Sequence, residues 1–78
     1  MNMTEQIMIQ MDKDVIRNII HFITTTDKVN GYNEGQLKEG RLEIERLCNR
    51  IINKAEIIGG NFLAEQKLYV NQILNELK

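Results

Sequence analysis

The chain has 78 residues, 42% hydrophobic and 27% charged, with a formal net charge of −1. This length allows one small domain and excludes a two-domain enzyme, because so short a chain buries only about 60% of the surface that its unfolded form exposes. The near-zero charge argues against nucleic acid as a partner, since binding by phosphate neutralisation needs a basic surplus. The hydrophobic fraction is typical of a packed domain.

Residues 1–11 are predicted to form a flexible or extended N-terminal arm that precedes a single helical domain over 12–78. Ile7, Ile9 and Met11 alternate along the segment, so a strand at 6–11 is one alternative and an extension of the first helix is another. The first helix is predicted over about 12–26, with Asp12 as its N-cap. Its apolar residues recur at helical spacing: Val15, Ile16, Ile19, Ile20 and Ile23.

Two further helices are predicted after a connection at 27–35. The second covers about 36–58, where one face is apolar and the opposite face is charged. Gly59 and Gly60 then predict a break, because two glycines inside a helix destabilise it by about 2 kcal/mol. The third helix is predicted over about 62–77, with Asn61 as its N-cap. The fold class is therefore all-α, a small bundle of three helices.

The apolar faces of these helices are wider than a three-helix monomer can cover, which predicts self-association as a homodimer or higher oligomer. Small domains without a disulfide or a metal commonly gain burial by assembling. We expect the interface on the first helix and near the end of the third. The predicted interface residues are Ile16, Ile20, Phe22, Ile23, Tyr69 and Leu77.

Catalytic, metal and cofactor sites are not indicated. His21 is the one histidine and Cys48 the one cysteine, which is too few for a structural zinc site or for a recognisable nucleophile and base. Glu39 and Glu43 are four residues apart and could hold a cation, but such a pair is usually a solvated face. No phosphate-binding glycine motif is present. We therefore expect a protein that is not an enzyme and that has no cofactor.

A basic stripe at intervals of four residues gives an alternative function, the binding of a small anionic or nucleotide ligand by an oligomer. The candidate ligand-binding residues are Arg46, Asn49, Arg50 and Lys54. Ala55 and Gly59 also have the spacing of a helix-turn-helix turn, but Glu65 stands where that motif needs an apolar residue. DNA binding is accordingly the weakest of these hypotheses.

Two families resemble parts of the chain. The short apolar lead at Ile7 and Ile9, followed by paired helices, resembles the WXG-type helical-hairpin proteins of specialised Gram-positive secretion, with Asn30-Gly31-Tyr32 where those proteins have Trp-x-Gly. That resemblance implies a secretion partner as a second alternative. A second resemblance, to small helical phage proteins that sequester signalling nucleotides, lies over Gly31-Tyr32 and residues 47–51. That resemblance implies ligand binding. Frequent Ile, Asn and Lys are typical of a low-GC bacterium or its phage.

No stretch reaches the roughly 20 apolar residues of a membrane span, and residues 1–6 lack the basic region of a secretory signal. We expect a cytoplasmic protein with no membrane partner. The leading hypothesis is a non-enzymatic helical interaction module, an adaptor, inhibitor or chaperone-like protein, that binds itself and another protein through apolar helix faces.

Overall fold

The fold in the computed structural model is all-α, as predicted, and its described residues form three helices. The backbone is described for 3–29 and 34–77, and the side chains for 3–25, 35 and 37–77. The helices are α1 (Met3–Val29), α2 (Glu34–Ile58) and α3 (Gly60–Glu76). The Asn30-Gly31-Tyr32 turn that carries the WXG-type resemblance lies outside the described residues.

Helix α2 is the central element, because it packs against α1 along one side and against α3 along the other. Asp12 meets Arg50 while Ile23 meets Gly40, so α1 runs antiparallel to α2, and α3 turns back along α2 after Gly59. Side chains close the third side, where Nζ of Lys13 on α1 lies 4.6 Å from the ring centre of Tyr69 on α3. The buried core is formed by Ile9, Ile16, Leu37, Ile44, Leu47, Cys48, Ile51, Ala55 and Val70.

Helix α1 begins at Met3, so the predicted arm and the alternative strand at 6–11 are both wrong for residues 3–11. Ile9 is 2% exposed and packs in the core, seven residues before the fully buried Ile16. That interval is two helical turns, so both side chains face α2. Asp12 is not an N-cap but a buried residue within the helix, and its carboxylate lies 3.2 Å from the guanidinium of Arg50 on α2.

The junction between α2 and α3 depends on two glycines. Gly59 has φ 73° and Gly60 has φ 59°, a left-handed backbone that side chains with a Cβ disfavour. Gly59 serves as the N-cap of α3, and no side chain caps this end. The predicted cap, Asn61, instead lies inside the helix. The predicted break is therefore confirmed, with α3 beginning two residues earlier than expected.

None of the described helices combines the length and the apolar character that crossing a bilayer requires.

Candidate interaction surface

A groove runs between α1 and α2 along the flank that α3 leaves open, and we call it the α1/α2 groove. Two cavities, of about 300 and about 450 Å³, follow one another along it. Val15 on α1 and Glu43 on α2 line both cavities, so the cavities meet at the level of these two residues. The groove therefore extends over several helical turns rather than forming a single closed pocket.

The α1 wall of this groove is mainly apolar, with Asp12 and Asn18 as its polar residues. Its exposed or partly exposed side chains, which we call the α1 row, are Met8, Met11, Val15 and Phe22. They follow one another at intervals of three, four and seven residues, the spacing that places side chains along one seam of a helix pair. Asn18 fills the interval before Phe22 and also lines the groove. The seam carries no charged residue across four turns of helix.

The α2 wall is charged, with the signs separated along the helix. Glu39 and Glu43 lie in the half nearer the start of α2, and Arg46 and Arg50 lie in the other half. Nε of Arg46 donates a hydrogen bond of 3.0 Å to Oε2 of Glu43, and Nη2 of Arg46 donates to Oε1. This pairing lowers the pKa of Glu43 and raises that of Arg46. Both side chains remain about half exposed.

Gly40 shapes the end of the groove that Phe22 borders. A Cβ built on Gly40 would lie 3.1 Å from Cδ1 of Ile23 and 3.4 Å from Cγ2 of Ile19. Such distances are tighter than most real Cβ contacts, so the missing side chain allows α1 and α2 to approach closely here. The space in front of Gly40 also forms part of the larger cavity.

An ion pair between a buried carboxylate, Asp12, and a partly exposed guanidinium, Arg50, lies in the floor of the groove. Oδ1 of Asp12 lies 3.2 Å from Nη2 of Arg50. Oδ2 of Asp12 and Nε of Arg50 are buried without a hydrogen-bond partner. A buried carboxylate without its cation is costly, so Asp12 holds Arg50 at the groove, where 43% of the Arg50 side chain remains exposed.

The interface residues predicted from the sequence lie mainly in contacts within the chain. Ile16 is fully buried and offers no surface to a partner. Ile20, Ile23, Tyr69 and Leu77 are partly buried against the core where the three helices meet. Phe22 differs, since it is exposed and borders the groove. Along the groove, the apolar surface left open on α1 is the α1 row, and Phe22 is its one member among the predicted interface residues.

The predicted ligand stripe presents little uncompensated charge. Carboxylates already engage two of its cations, Glu43 at Arg46 and Asp12 at Arg50. Lys54 is partly buried, and Asn49 is exposed. The structure therefore brings Arg46 and Arg50 to the groove but places each of them in an ion pair.

Residues with possible catalytic or metal-binding chemistry are spread apart. His21 is exposed on α1, whereas Cys48 is buried in the core, where loss of solvent raises the pKa of its thiol. In the part of the chain that the structure describes, no group of three His, Cys, Asp or Glu side chains could hold a metal ion. Glu39 and Glu43 share the groove wall, with Glu43 committed to Arg46.

Comparison with known proteins does not assign the chain to a family: no protein-family model matches it, and neither does any curated protein or solved structure.

Proposed function

We propose that this chain is a non-enzymatic helical interaction module that holds a helix of a partner protein in the α1/α2 groove. The observation that carries the proposal is the α1 row, an uncharged apolar seam left uncovered beside a groove. Contiguous exposed apolar surface of this kind commonly marks a protein interaction site. An amphipathic helix that docks in a groove between two helices would bury it.

The spacing of the α1 row supports a helical partner rather than an extended one. Met8, Met11 and Val15 follow the three-and-four rhythm by which one helix packs along another. A partner helix with apolar residues at the same rhythm would cover the whole row. Its polar side chains would then meet the charged α2 wall at the edge of the contact.

The proposal is tested by placing a photo-activatable cross-linking residue at Met11 in the full-length chain and irradiating the organism's own cells. Met11 is 61% exposed and lies in the groove, so we expect a cross-linked protein of defined mass. Leu68 on α3 is 60% exposed and does not line the groove, which makes it the matched control. Absence of a product at Met11, or the same products at both positions, would contradict the proposal.

A further inference from the structure

We infer that the occupant of the α1/α2 groove is a second copy of this chain, packed α1 against α1 and α2 against α2 around a two-fold axis beside Val15. The inference rests on the proposed function and names its partner. The axis lies in the interface and runs across the helices, so each helix meets its own copy in antiparallel orientation. Helices α1 and α2 of the two copies then form a four-helix bundle, with each α3 on the outside.

The α1 row is self-complementary about Val15. Met8 lies seven residues before Val15, and Phe22 lies seven residues after it. The two-fold rotation therefore places Met8 of one copy opposite Phe22 of the other, and Val15 opposite its own equivalent. Met11, four residues before Val15, falls opposite Ile19, which lines the larger cavity four residues after Val15, so each side chain of the row meets an apolar one.

The α2 wall is complementary about the same axis. The contacts of Asp12 with Arg50 and of Ile19 with Gly40 lie on either side of Val15, so Val15 is level with the part of α2 between Glu43 and Arg46. Rotation about that part places Glu43 opposite Arg46 of the second copy and Glu39 opposite Arg50. Each carboxylate of one copy therefore faces a guanidinium of the other, which fixes the register and favours this partner over an unrelated helix.

The two cavities also fit this arrangement. The smaller is bordered by Met8 and Met11, and the larger by Phe22. The rotation brings Phe22 of the second copy towards the smaller cavity and its Met8 towards the larger. Each copy thus presents a protruding apolar side chain where the other copy has open space.

An axis parallel to the helices is disfavoured by the same observations. It would place the α1 row of one copy on the α2 wall of the other, and the carboxylates of Glu39 and Glu43 would be covered by apolar side chains. Covering these charges without pairing them is unfavourable. The crosswise axis places apolar side chains against apolar ones and acids against bases.

A disulfide test examines the position of the axis. In Val15→Cys the new thiols lie across the axis, so mild oxidation of the dilute full-length chain is expected to give a covalent dimer within minutes. Leu68→Cys, which is more exposed but away from the groove, should remain uncoupled under the same conditions. The native Cys48 is buried and does not compete. No dimer from Val15→Cys, or equal coupling of both variants, would overturn the inference.

Charge reversal examines the register independently. Arg46→Glu places four carboxylates around the axis and is expected to raise the dissociation constant at least about tenfold. Adding Glu43→Arg restores alternating signs and should return the constant to within about threefold of the unmodified chain. Light scattering gives the masses and circular dichroism confirms that each variant is helical. Equal dissociation constants for all three chains, or no recovery in the double variant, would overturn the inference.

The two proposals fail in different ways. If the purified chain remains single and Val15→Cys does not couple, while Met11 cross-links to a different protein in cells, the second-copy inference is wrong and the interaction function stands. If neither purified chain nor cells give a product from the groove, both are wrong.

Discussion

Replacing Ile9 by alanine tests whether the first turns of α1 belong to the packed bundle. Ile9 is 2% exposed and lies in the core, whereas Ile7 is 56% exposed on the same turns of the helix. Ile→Ala removes three carbon groups from a buried position, at about 0.8 kcal/mol each, and a residual cavity adds to this. We therefore expect Ile9→Ala to lower the free energy of unfolding by about 3 kcal/mol.

Ile7→Ala is the matched control, because it is the same substitution in the same helix. About half of its surface is already in solvent, and alanine has the higher helix propensity, so the expected loss is about 1 kcal/mol or less. Both variants are compared with the unmodified chain by urea unfolding, followed by circular dichroism at one protein concentration. A chain of this length has roughly 4–12 kcal/mol of stability, so the difference is measurable. Equal losses for the two variants would refute the packing of α1 described above.

Three other predictions concern the junction, the ion pair of Asp12 with Arg50 and the core thiol. Gly59→Ala forces a Cβ into φ 73°, so it should lower stability by about 1–2 kcal/mol, and an unchanged Tm would contradict this. Arg50→Met leaves the carboxylate of Asp12 buried and unpaired, so it should lower the free energy of unfolding in urea by about 2–3 kcal/mol. Asp12→Asn releases Arg50 to solvent and should lower it by only about 1 kcal/mol. The reverse order would contradict the pairing. Burial raises the pKa of Cys48 above 9.0 and that of Tyr69 above 10.0. The stability that these groups contribute is therefore fully present below about pH 9 and falls at higher pH, where the unfolded chain releases the protons first. A urea midpoint that stays constant through this range would contradict the prediction.

The second helix could be predicted closely because its signals are local. Apolar residues from Leu37 to Ala55 repeat at helical spacing, and two glycines follow Ile58. The start of α1 could not be predicted, since Asp12 has the chemistry of an N-cap and its true role depends on Arg50, 38 positions along the chain. Local sequence gives no information about that contact.

The sequence predicts that the interaction surface is an apolar helix face, but not which residues form it. Periodicity indicated more apolar surface on α1 than one contact needs. It could not decide which part of that surface would be covered by α2 and α3. In the folded chain Ile16 is fully buried, and Ile20 and Ile23 are partly buried. The row that remains open contains Met8 and Met11, which the expected extended arm had removed from consideration.

Along α3, the helical periodicity predicts most of the residues that pack inward. Val70 is buried, and Leu63, Tyr69 and Leu74 pack partly against the core. Gln66 is buried although it is polar, and its Oε1 has no hydrogen-bond partner. A polar residue in the core is not visible in a hydrophobic pattern, because the pattern counts only apolar positions.

Sedimentation equilibrium of the unmodified chain is the most direct test of the central claim, that the open groove is covered by a second copy. At micromolar concentration we expect a species of twice the 9.1 kDa chain mass. Val15→Glu, which brings two carboxylates together on the axis, should return it to a single chain that keeps its helical circular dichroism spectrum. A mass of 9.1 kDa for the unmodified chain throughout the micromolar range, or a dimer that Val15→Glu leaves intact, would contradict the claim.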